Sequence, residues 1–221
     1  MAKSRRTKMI SLSNTTSNKG DIKEKVTKKL EKSFKKFNNI YIVKAINLTN
    51  ENQRKLQFDL QGVTVFGKKS LFKHFLKTKS ANHSNIDHLI EVLETREMND
   101  FFLFFTNSPK SIVEKEMGDL KCTEFIQPQQ KAIASIKLEP GVDVFSSLAT
   151  SNEGYLRTLG LFVTVNNGKI NLEDEFVACS KNKEVTVVQA KILKLLGIKA
   201  GVFELLPVCV FDKSLNQFNI I

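Results

Sequence analysis

The chain has 221 residues, of which 41% are hydrophobic and 26% charged, so it is long enough for one or two globular domains with a sizeable core. Its net charge of +11 and its pI near 9.5 predict a polyanionic partner. No apolar run approaches the ~18 residues of a membrane-spanning helix, which argues against an integral membrane protein.

The positive charge is unevenly distributed along the chain. Residues 1–36 have twelve Lys or Arg against three acidic residues, a net charge of +9. Residues 54–79 have seven against one, a net charge of +6, which leaves −4 for the rest. This asymmetry predicts one basic face, although a solvated lysine-rich surface without a partner stays open as the alternative.

The three cysteines, Cys122, Cys179 and Cys209, are far apart in the sequence and form no CxxC pair. We interpret them as buried, small hydrophobic side chains in a reducing compartment. The first eight residues are basic and lack the apolar stretch of a signal peptide, which predicts an intracellular protein.

Residues 1–19 are polar and basic without periodicity, and we expect an arm that becomes ordered on a partner. The next segment has an apolar stripe with spacings of three or four residues, which predicts an amphipathic helix. The stripe consists of Ile22, Val26, Leu30, Phe34 and Phe37. Seven lysines occupy the other faces, and we assign them to phosphate contact rather than to solvation alone. They are Lys23, Lys25, Lys28, Lys29, Lys32, Lys35 and Lys36.

Residues 40–120 alternate between predicted strands and helices. The strands are predicted at 40–43, 63–66 and 101–105, and the helices at 50–60, 69–77 and 86–93. The strand at 101–105 is apolar on both faces, as expected of a central strand. Asn50 and Ser108 are predicted helix caps, and Pro109 follows Ser108 at the first helical position.

From about residue 123 the pattern changes. A strand is predicted at 131–138, and Asn166-Asn167-Gly168 predicts a hairpin between strands at 161–165 and 170–178. The segment from Thr186 to Gln189 is typical of a capping box, which opens a helix that stops at Gly197. A last strand is predicted at 202–211, where Pro207 indicates an edge or bulged strand.

These elements predict an α/β protein with a mixed sheet and flanking helices, interrupted by a smaller α/β insertion domain. The predicted boundaries are an arm at 1–19, a main domain at 20–137 and 198–215, an insertion at 138–197, and a tail at 216–221.

The sharpest enzymatic candidate is Gly62-x-x-x-x-Gly67-Lys68, which matches most of a P-loop. Lys69, however, stands where a P-loop has the Ser or Thr that binds magnesium. Residues 63–66 are β-branched or aromatic, so they favour a strand over a loop that encloses phosphates. This motif therefore does not predict a nucleotide site.

The remaining residues give no sign of catalysis. His74, His83 and His88 lack the spacing of metal ligands, and no nucleophile motif is present. We predict no catalytic residue, no cofactor and no metal. A basic arm, a lysine-faced helix and a lysine turn instead predict nucleic-acid binding through phosphates. Because no duplex-reading module and no RNP aromatic signature is present, a folded RNA is the favoured partner.

Several motifs, in one order along nearly the whole chain, resemble the mRNA turnover protein 4 family. This family consists of ribosome-assembly paralogues of the ribosomal protein at the base of the acidic stalk of the large subunit. The matching motifs are Lys3-Ser4-Arg5-Arg6-x-Lys8 with Ser11-Leu12; Phe66-Gly67-Lys68; Phe104-Phe105-Thr106-Asn107; Lys131-Ala132 leading to Leu138-Glu139-Pro140-Gly141; Leu156-Arg157-x-Leu159-Gly160-Leu161; and Gln189-Ala190-x-Ile192-Leu193-Lys194-Leu195-x-Gly197.

The resemblance implies a non-enzymatic ribosome biogenesis factor of the nucleolus and nucleus, active in rRNA processing and large-subunit assembly. It would bind large-subunit rRNA at the base of the P-stalk in pre-60S particles, beside neighbouring ribosomal proteins, until the stalk-base ribosomal protein replaces it. Passage to the cytoplasm on the particle is left open. A phosphatase-type release factor is a further implied partner, and no membrane is involved.

The resemblance also implies the rRNA-contacting residues. Family contacts centre on the N-terminal basic segment, the Gly-Lys turn and the Lys-Ala strand. In this chain they fall on Lys3, Arg5, Arg6, Lys8, Lys68, Lys69 and Lys131, and Lys73 on the following helix joins them. The chain departs from the family in having no Trp, for which Phe58 is a candidate substitute, and in having Lys69 where Asn is frequent. No site is transferred around residues 79–85.

Two alternatives stay open. One is the stalk-base ribosomal protein itself, in a form lacking its acidic tail, since that protein continues into helices that recruit stalk dimers whereas this chain ends at Ile221. The other, from a different class, is a phosphate-hydrolysing enzyme that uses the Gly-Lys turn.

Overall fold

The computed structural model describes residues 19–80, 85–95, 98, 100–141 and 144–221. They fall into two compact units. Unit 1 lies within residues 1–42, 61–107 and 208–221, and unit 2 comprises residues 43–60 and 108–207. The candidate arm residues Lys3, Arg5, Arg6 and Lys8 lie outside the described residues.

Helices and strands alternate along the chain, and the α/β architecture with an inserted smaller α/β element is confirmed. The helices are α1 (Lys19–Lys36), α2 (Asn50–Asp59), α3 (Lys69–Ser80), α4 (Ile86–Thr95), α5 (Lys110–Asp119), α6 (Glu153–Thr158) and α7 (Val187–Leu195). The strands are β1 (Asn39–Ile46), β2 (Val63–Val65), β3 (Phe101–Thr106), β4 (Cys122–Glu124), β5 (Ile136–Leu138), β6 (Val163–Asn166), β7 (Lys169–Leu172), β8 (Phe176–Cys179), β9 (Gly201–Asp212) and β10 (Gln217–Ile220).

The core of unit 1 forms where α1, α3 and α4 pack on the sheet. Leu30 and Phe34 of α1 are buried, and Phe34 meets Phe75 of α3 edge-on at 5.8 Å. Phe72 of α3 packs in the same way on Phe101 at 5.6 Å. Burying several aromatic side chains removes a large apolar area from water, and this burial is the main stabilising contribution to the unit.

The main sheet has the strand order β10-β9-β1-β3-β2. β3 is buried along its whole length, which confirms the prediction of a central strand covered on both faces. β2 pairs antiparallel with β3, and Val65 lies opposite Leu103. The hydroxyl of Thr106 donates a hydrogen bond to the carbonyl oxygen of Gln61 at 2.7 Å, which fixes the entry into β2.

Polar contacts join the ends of α1 to this sheet. The Lys213 ammonium donates to the carbonyl oxygens of Phe34 at 2.7 Å and Phe37 at 3.0 Å. A cation at the carboxyl end of a helix satisfies free carbonyls and interacts favourably with the helix dipole. The amide of Asn38 donates to the side chain of Asn107 at 2.9 Å.

The carboxyl-terminal region differs from the prediction. β9 is an interior strand rather than an edge strand, although Pro207 lies within it. β4 pairs with residues 201–203 of β9 and β10 with residues 209–212, so Pro207 falls between the two pairings. Residues 216–221, assigned to a tail from the sequence, include β10.

Two predicted helix caps in unit 2 are wrong. Thr49, not Asn50, caps α2, because its hydroxyl accepts a hydrogen bond from the amide of Asn52 at 3.2 Å. Pro109 itself, not Ser108, occupies the cap position of α5 and provides no side-chain bond. Both differences are one-residue shifts at a helix start, where the sequence pattern is least informative.

The inserted segment of unit 2 has two small antiparallel sheets, β5–β8 and β6–β7. The predicted hairpin is confirmed: Asn167 and Gly168 have positive φ angles of 51° and 73°, as a tight turn between paired strands requires. The strand predicted at 131–138 is shorter, since only Ile136–Leu138 forms β5, and the strand predicted at 170–178 is divided into β7 and β8.

Helix α7 begins as the sequence indicates. The Thr186 hydroxyl accepts from the amide of Gln189, and the Gln189 side chain accepts from the amide of Thr186, which confirms the capping box. Gly197 follows the helix with a φ of 70°. Around α7 the insertion has its own core, which includes Leu156, Ile170 and Ile192.

The cysteines fit the prediction only in part. Cys179 and Cys209 are buried, and burial raises the pKa of the Cys179 thiol. Cys122 is exposed at the start of β4, which corrects the expectation that all three are buried. Within the described residues, none of the helices combines the length and apolar character needed to cross a lipid bilayer.

Candidate nucleic-acid interface

The Gly-Lys turn connects β2 to α3 and presents its lysines at the surface. The carbonyl oxygen of Lys68 accepts hydrogen bonds from the amides of Leu71 at 2.9 Å and Phe72 at 3.2 Å, so Lys68 immediately precedes the first helical turn. The side chain of Lys68 is exposed, and that of Lys69 is partly buried. The turn therefore places one exposed lysine and one partly buried lysine at the positive end of a helix.

Gly67 makes this turn possible because α1 and α3 come close to it. A Cβ at position 67 would lie 3.1 Å from a ring carbon of Phe72 and 3.4 Å from a methyl carbon of Val26. A side chain at this position would therefore be tight against the Phe72 ring and would fill the space beside Val26. Gly67 thus keeps Lys68 beside the amino-terminal part of α1.

The structure contradicts a P-loop at this position. Val63–Val65 form β2 and pair with β3, so their backbone is extended rather than curled around a phosphate. This confirms the sequence argument that β-branched residues here favour a strand. The anion-binding capacity of the turn is therefore that of a surface, not of an enclosing loop.

Lys73, one turn further along α3, differs from Lys68 because it has an acidic partner. Its ammonium lies 2.9 Å from a carboxylate oxygen of Glu94 on α4. The hydrogen bond and charge of Lys73 lower the pKa of Glu94 below the ordinary value, and burial has a smaller opposing effect. Lys73 is brought together with Lys68 and Lys69, but part of its charge is already neutralised.

The seven lysines of α1 are not equivalent. The ammonium of Lys29 is turned towards the sheet, where it donates to the carbonyl oxygen of Thr64 at 2.8 Å, and burial lowers its pKa. Lys28 lies 2.5 Å from Glu24 one turn earlier, and the hydrogen bond between them lowers the pKa of Glu24 and raises that of Lys28. The other five are exposed and form no ion pair with a described residue: Lys23, Lys25, Lys32, Lys35 and Lys36.

An apolar groove of about 590 Å³ lies between the start of α1 and the Gly-Lys turn. Its apolar lining comprises Ile22, Val26, Phe66 and Leu71, and its polar lining comprises Lys23, Lys68, Ser70 and His74. The groove is the feature of this surface that the sequence reasoning missed. The alternation of apolar and lysine residues on α1 was visible, but nothing in the sequence shows that α1 packs beside the turn.

Lys131, the remaining described candidate, is exposed and belongs to unit 2, whereas Lys68, Lys69 and Lys73 belong to unit 1. Lys131 forms a single antiparallel β-bridge with Glu184. The backbone amide of the next residue, Ala132, donates a hydrogen bond to the carbonyl oxygen of Lys183 at 3.1 Å. The bridge aligns Lys131 with the loop before α7. The structure therefore groups three of the described candidates and places the fourth in the other unit.

Phe58, the candidate substitute for the family's Trp, is 86% exposed on α2 of unit 2. No described contact explains why an aromatic side chain stands there. Of the histidines, His74 lines the groove and His88 lies 3.3 Å from Glu91, while His83 lies outside the described residues. In the part of the chain that the structure describes, no group of three or more His, Cys, Asp or Glu is arranged to hold a metal.

One segment of the chain matches a known protein family. Residues 130–198 match a family described as the insertion domain in a 60S ribosomal protein. These residues include β5 to β8, α6 and α7, the two small sheets and helices described above. The match covers this one segment of the chain and agrees with the smaller α/β insertion that the sequence predicted there.

Three curated relatives are similar over most of this chain. Ribosome assembly factor mrt4 of Dictyostelium discoideum is 27% identical over 207 residues, covering 92% of this chain and 90% of the relative. The proteins of the same name from Schizosaccharomyces pombe and Neurospora crassa are each 24% identical. They cover 92% and 90% of this chain, and 88% and 84% of their own lengths. The chain is a homologue of these assembly factors, and the resemblance found from its motifs is confirmed.

Proposed function

We propose that this protein is a ribosome biogenesis factor that binds large-subunit rRNA at the stalk base of pre-60S particles and holds the site for the stalk-base ribosomal protein. The observation that carries the proposal is the similarity to proteins named ribosome assembly factor mrt4 along about nine-tenths of both chains. Similarity of that extent includes the main domain as well as the insertion, so a shared insertion alone does not account for it.

Binding to rRNA is supported by the charges of unit 1. Exposed lysines on α1 and at the Gly-Lys turn present several ammonium groups that have no acidic partner among the described residues, while Lys28 and Lys73 have such partners. Phosphate contacts of this kind give affinity through counterion release and do not require base recognition. The proposed contacts are Lys3, Arg5, Arg6, Lys8, Lys68, Lys69, Lys73 and Lys131.

A non-enzymatic role is part of the proposal. The relatives are named as assembly factors, and the one motif with enzymatic potential forms a strand and a helix start instead of a phosphate-enclosing loop. The proposed locations are the nucleolus and nucleus, with passage to the cytoplasm on pre-60S particles. The proposed partners are stalk-base rRNA, neighbouring ribosomal proteins and a phosphatase-type release factor.

The domain boundaries inferred from the sequence also stand as a proposal: an arm at 1–19, an rRNA-binding domain at 20–137 and 198–215, an insertion at 138–197, and a tail at 216–221. Two observations support an insertion in this region. The family match extends over residues 130–198, and unit 2 has a core separate from that of unit 1.

The second candidate is the stalk-base ribosomal protein itself, which the match to a ribosomal-protein insertion domain favours. Gradient sedimentation of the tagged protein from nuclear and cytoplasmic extracts separates the two. An assembly factor is expected in nuclear large-subunit precursors and is absent from translating ribosomes. Stable residence in polysomes would contradict the proposal and favour the ribosomal protein.

A further inference from the structure

The groove beside the Gly-Lys turn is an unusual feature for a surface that binds phosphates. Ile22, the first residue of the α1 stripe, is 50% exposed instead of buried, because it lies beyond the part of α1 that packs on the core. Val26, Phe66 and Leu71 are each partly buried around the same space. An electrostatic surface alone needs no such apolar recess.

The groove is rigidly built on one side. The Phe66 ring packs against Phe102 of the buried strand β3, with 4.8 Å between ring centres. Gly67 leaves little space beside it, since a Cβ added there would lie 3.1 Å from the Phe72 ring and 3.4 Å from Val26. A recess whose floor is fixed in this way is suited to a flat, rigid group, since little side-chain ordering is needed to receive it.

The charged rim determines which flat group fits. Lys23 and Lys68 line the groove from α1 and from the turn, and both are exposed. Ser70 and His74 add hydrogen-bonding groups at the same edge. Apolar walls with cations at the margin complement a nucleotide, whose base has apolar faces and whose phosphates are anionic. The volume of about 590 Å³ lies within the ~300–1,000 Å³ typical of small-molecule sites.

We infer that the groove receives an unpaired nucleobase of the bound rRNA, with the phosphates on either side of that base contacting Lys23 and Lys68. This inference rests on the proposed rRNA binding and adds a base-specific anchor to it. Single-stranded positions in folded RNA can be splayed out and inserted into such apolar sites. The groove then fixes the register of the RNA on unit 1, while the surrounding lysines supply affinity without sequence preference.

The competing occupant is this chain's own segment Met9 to Leu12, which contains Met9, Ile10 and Leu12 in an otherwise polar stretch before α1. That segment follows a cluster of four cationic residues within positions 3–8. Bringing those cations to a rim formed by Lys23 and Lys68 would cost electrostatic repulsion, whereas a nucleotide would gain attraction there. The charges therefore favour the base.

The test is a binding titration with a transcript of the large-subunit stalk-base rRNA. Ile22→Ser removes the exposed apolar wall without touching the core, and we expect about fivefold weaker binding or more with an unchanged salt slope. Leu215→Ser is the matched control, because Leu215 is an exposed apolar residue of unit 1 outside the groove. It should bind as the wild type does, and Ile22→Val should retain most of the affinity.

Ultraviolet cross-linking of the complex at short wavelength gives a second readout. A base covalently attached to the peptide that contains Phe66, Leu71 or His74 supports the inference. A photoreactive residue at position 71 that captures residues 9–12 in the RNA-bound protein would overturn it. Wild-type affinity of Ile22→Ser would also overturn it, and a loss of affinity in Lys68→Ala/Lys69→Ala would then show that the proposed rRNA binding still holds.

Discussion

The ammonium of Lys29 donates a hydrogen bond to the backbone carbonyl oxygen of Thr64 at 2.8 Å, and this bond joins α1 to the short strand β2. Thr64 is buried opposite Phe104, so the carbonyl lies at the edge of the core. Although Lys29 looks in the sequence like one more lysine on a basic helix, its contact is internal. The Lys29 ammonium is thus used in a contact within the protein instead of in a contact with a polyanion.

The first prediction concerns this bond. Lys29→Met keeps most of the aliphatic stem but removes the donor, so the free energy of unfolding should fall by about 1 kcal/mol. Urea denaturation followed by circular dichroism measures the change. Lys32→Met is the control, because Lys32 is exposed on the same helix and its loss should change stability by less than about 0.5 kcal/mol. Equal stability of the two variants would show that the bond contributes nothing.

The second prediction concerns the lysines of the turn. Lys68→Ala/Lys69→Ala should weaken binding to a stalk-base rRNA transcript and reduce the slope of log K against log salt by about 1.4–1.8, as expected for two lost phosphate contacts. Binding measured by fluorescence anisotropy at several salt concentrations gives the slope. Lys191→Ala/Lys194→Ala removes the same charge from exposed positions of α7 and should leave the slope near that of the wild type. An unchanged slope in the first variant would mean that the turn lysines are only solvated.

The third prediction follows from the ion pair between Lys73 and Glu94. Because Glu94 partly neutralises Lys73, Lys73→Ala should lower rRNA affinity less than Lys68→Ala does. Glu94→Gln should release the ammonium and strengthen binding, most clearly at low salt where charges are least screened. The same anisotropy titration measures all three variants. Weaker binding by Glu94→Gln would indicate that the pair positions Lys73 for its contact.

The fourth prediction is the pH dependence of that pair. The pKa of Glu94 is lowered in the folded protein by the hydrogen bond from Lys73, so the pair stabilises the fold above the ordinary glutamate pKa. The stabilisation should disappear as the pH falls below the ordinary glutamate pKa and through the lower folded-state pKa. The stability difference between wild type and Glu94→Gln should therefore be constant from neutral pH to about pH 5 and then shrink. A difference that grows on acidification would contradict the assignment.

The fifth prediction compares two glycines. A Cβ at Gly62 would clash with the carbonyl oxygen of Phe105 and lie 2.6 Å from the ring of Phe104, so Gly62→Ala should destabilise unit 1 by about 1–3 kcal/mol or more. At Gly118 on helix α5 a Cβ meets nothing within 4 Å, and Gly118→Ala should raise stability by up to about 1 kcal/mol. Thermal and urea unfolding check both. A tolerated Gly62→Ala would show that β2 can move away from β3.

Much of the fold could be predicted because its signals are local. The α1 stripe, the uniformly apolar β3, the Asn167-Gly168 turn and the Thr186 capping box each depend on residues within a few positions of one another. The errors occurred where neighbours distant in sequence decide the outcome. The antiparallel partners of β9 pair on either side of Pro207, and the sequence of β9 alone does not contain that information.

The same division applies to the candidate site. The positions of the lysines in the sequence predict a basic face on α1 and on the turn. The ion pair of Lys28 with Glu24 is also visible in the sequence, as a spacing of four residues. The ion pair of Lys73 with Glu94 joins residues 21 positions apart, and the bond from Lys29 to Thr64 joins residues 35 positions apart. Nor could the exposure of Cys122 be inferred, since it depends on the position of β4 in unit 2.

By itself, the sequence determined the kinship of this protein and predicted the class of its partner. Its charge asymmetry indicates a polyanionic partner, and the order of its motifs indicates the assembly-factor family. Both properties depend only on which residues occur and in what order, so they can be read without the fold. Only the tertiary structure decided which lysines face solvent, which are paired or bonded to the backbone, and that Ile22 and Phe66 enclose a groove between Lys23 and Lys68. The physical reason is that the availability of a charge depends on what lies within a few ångströms of it, and packing brings those neighbours from distant parts of the chain.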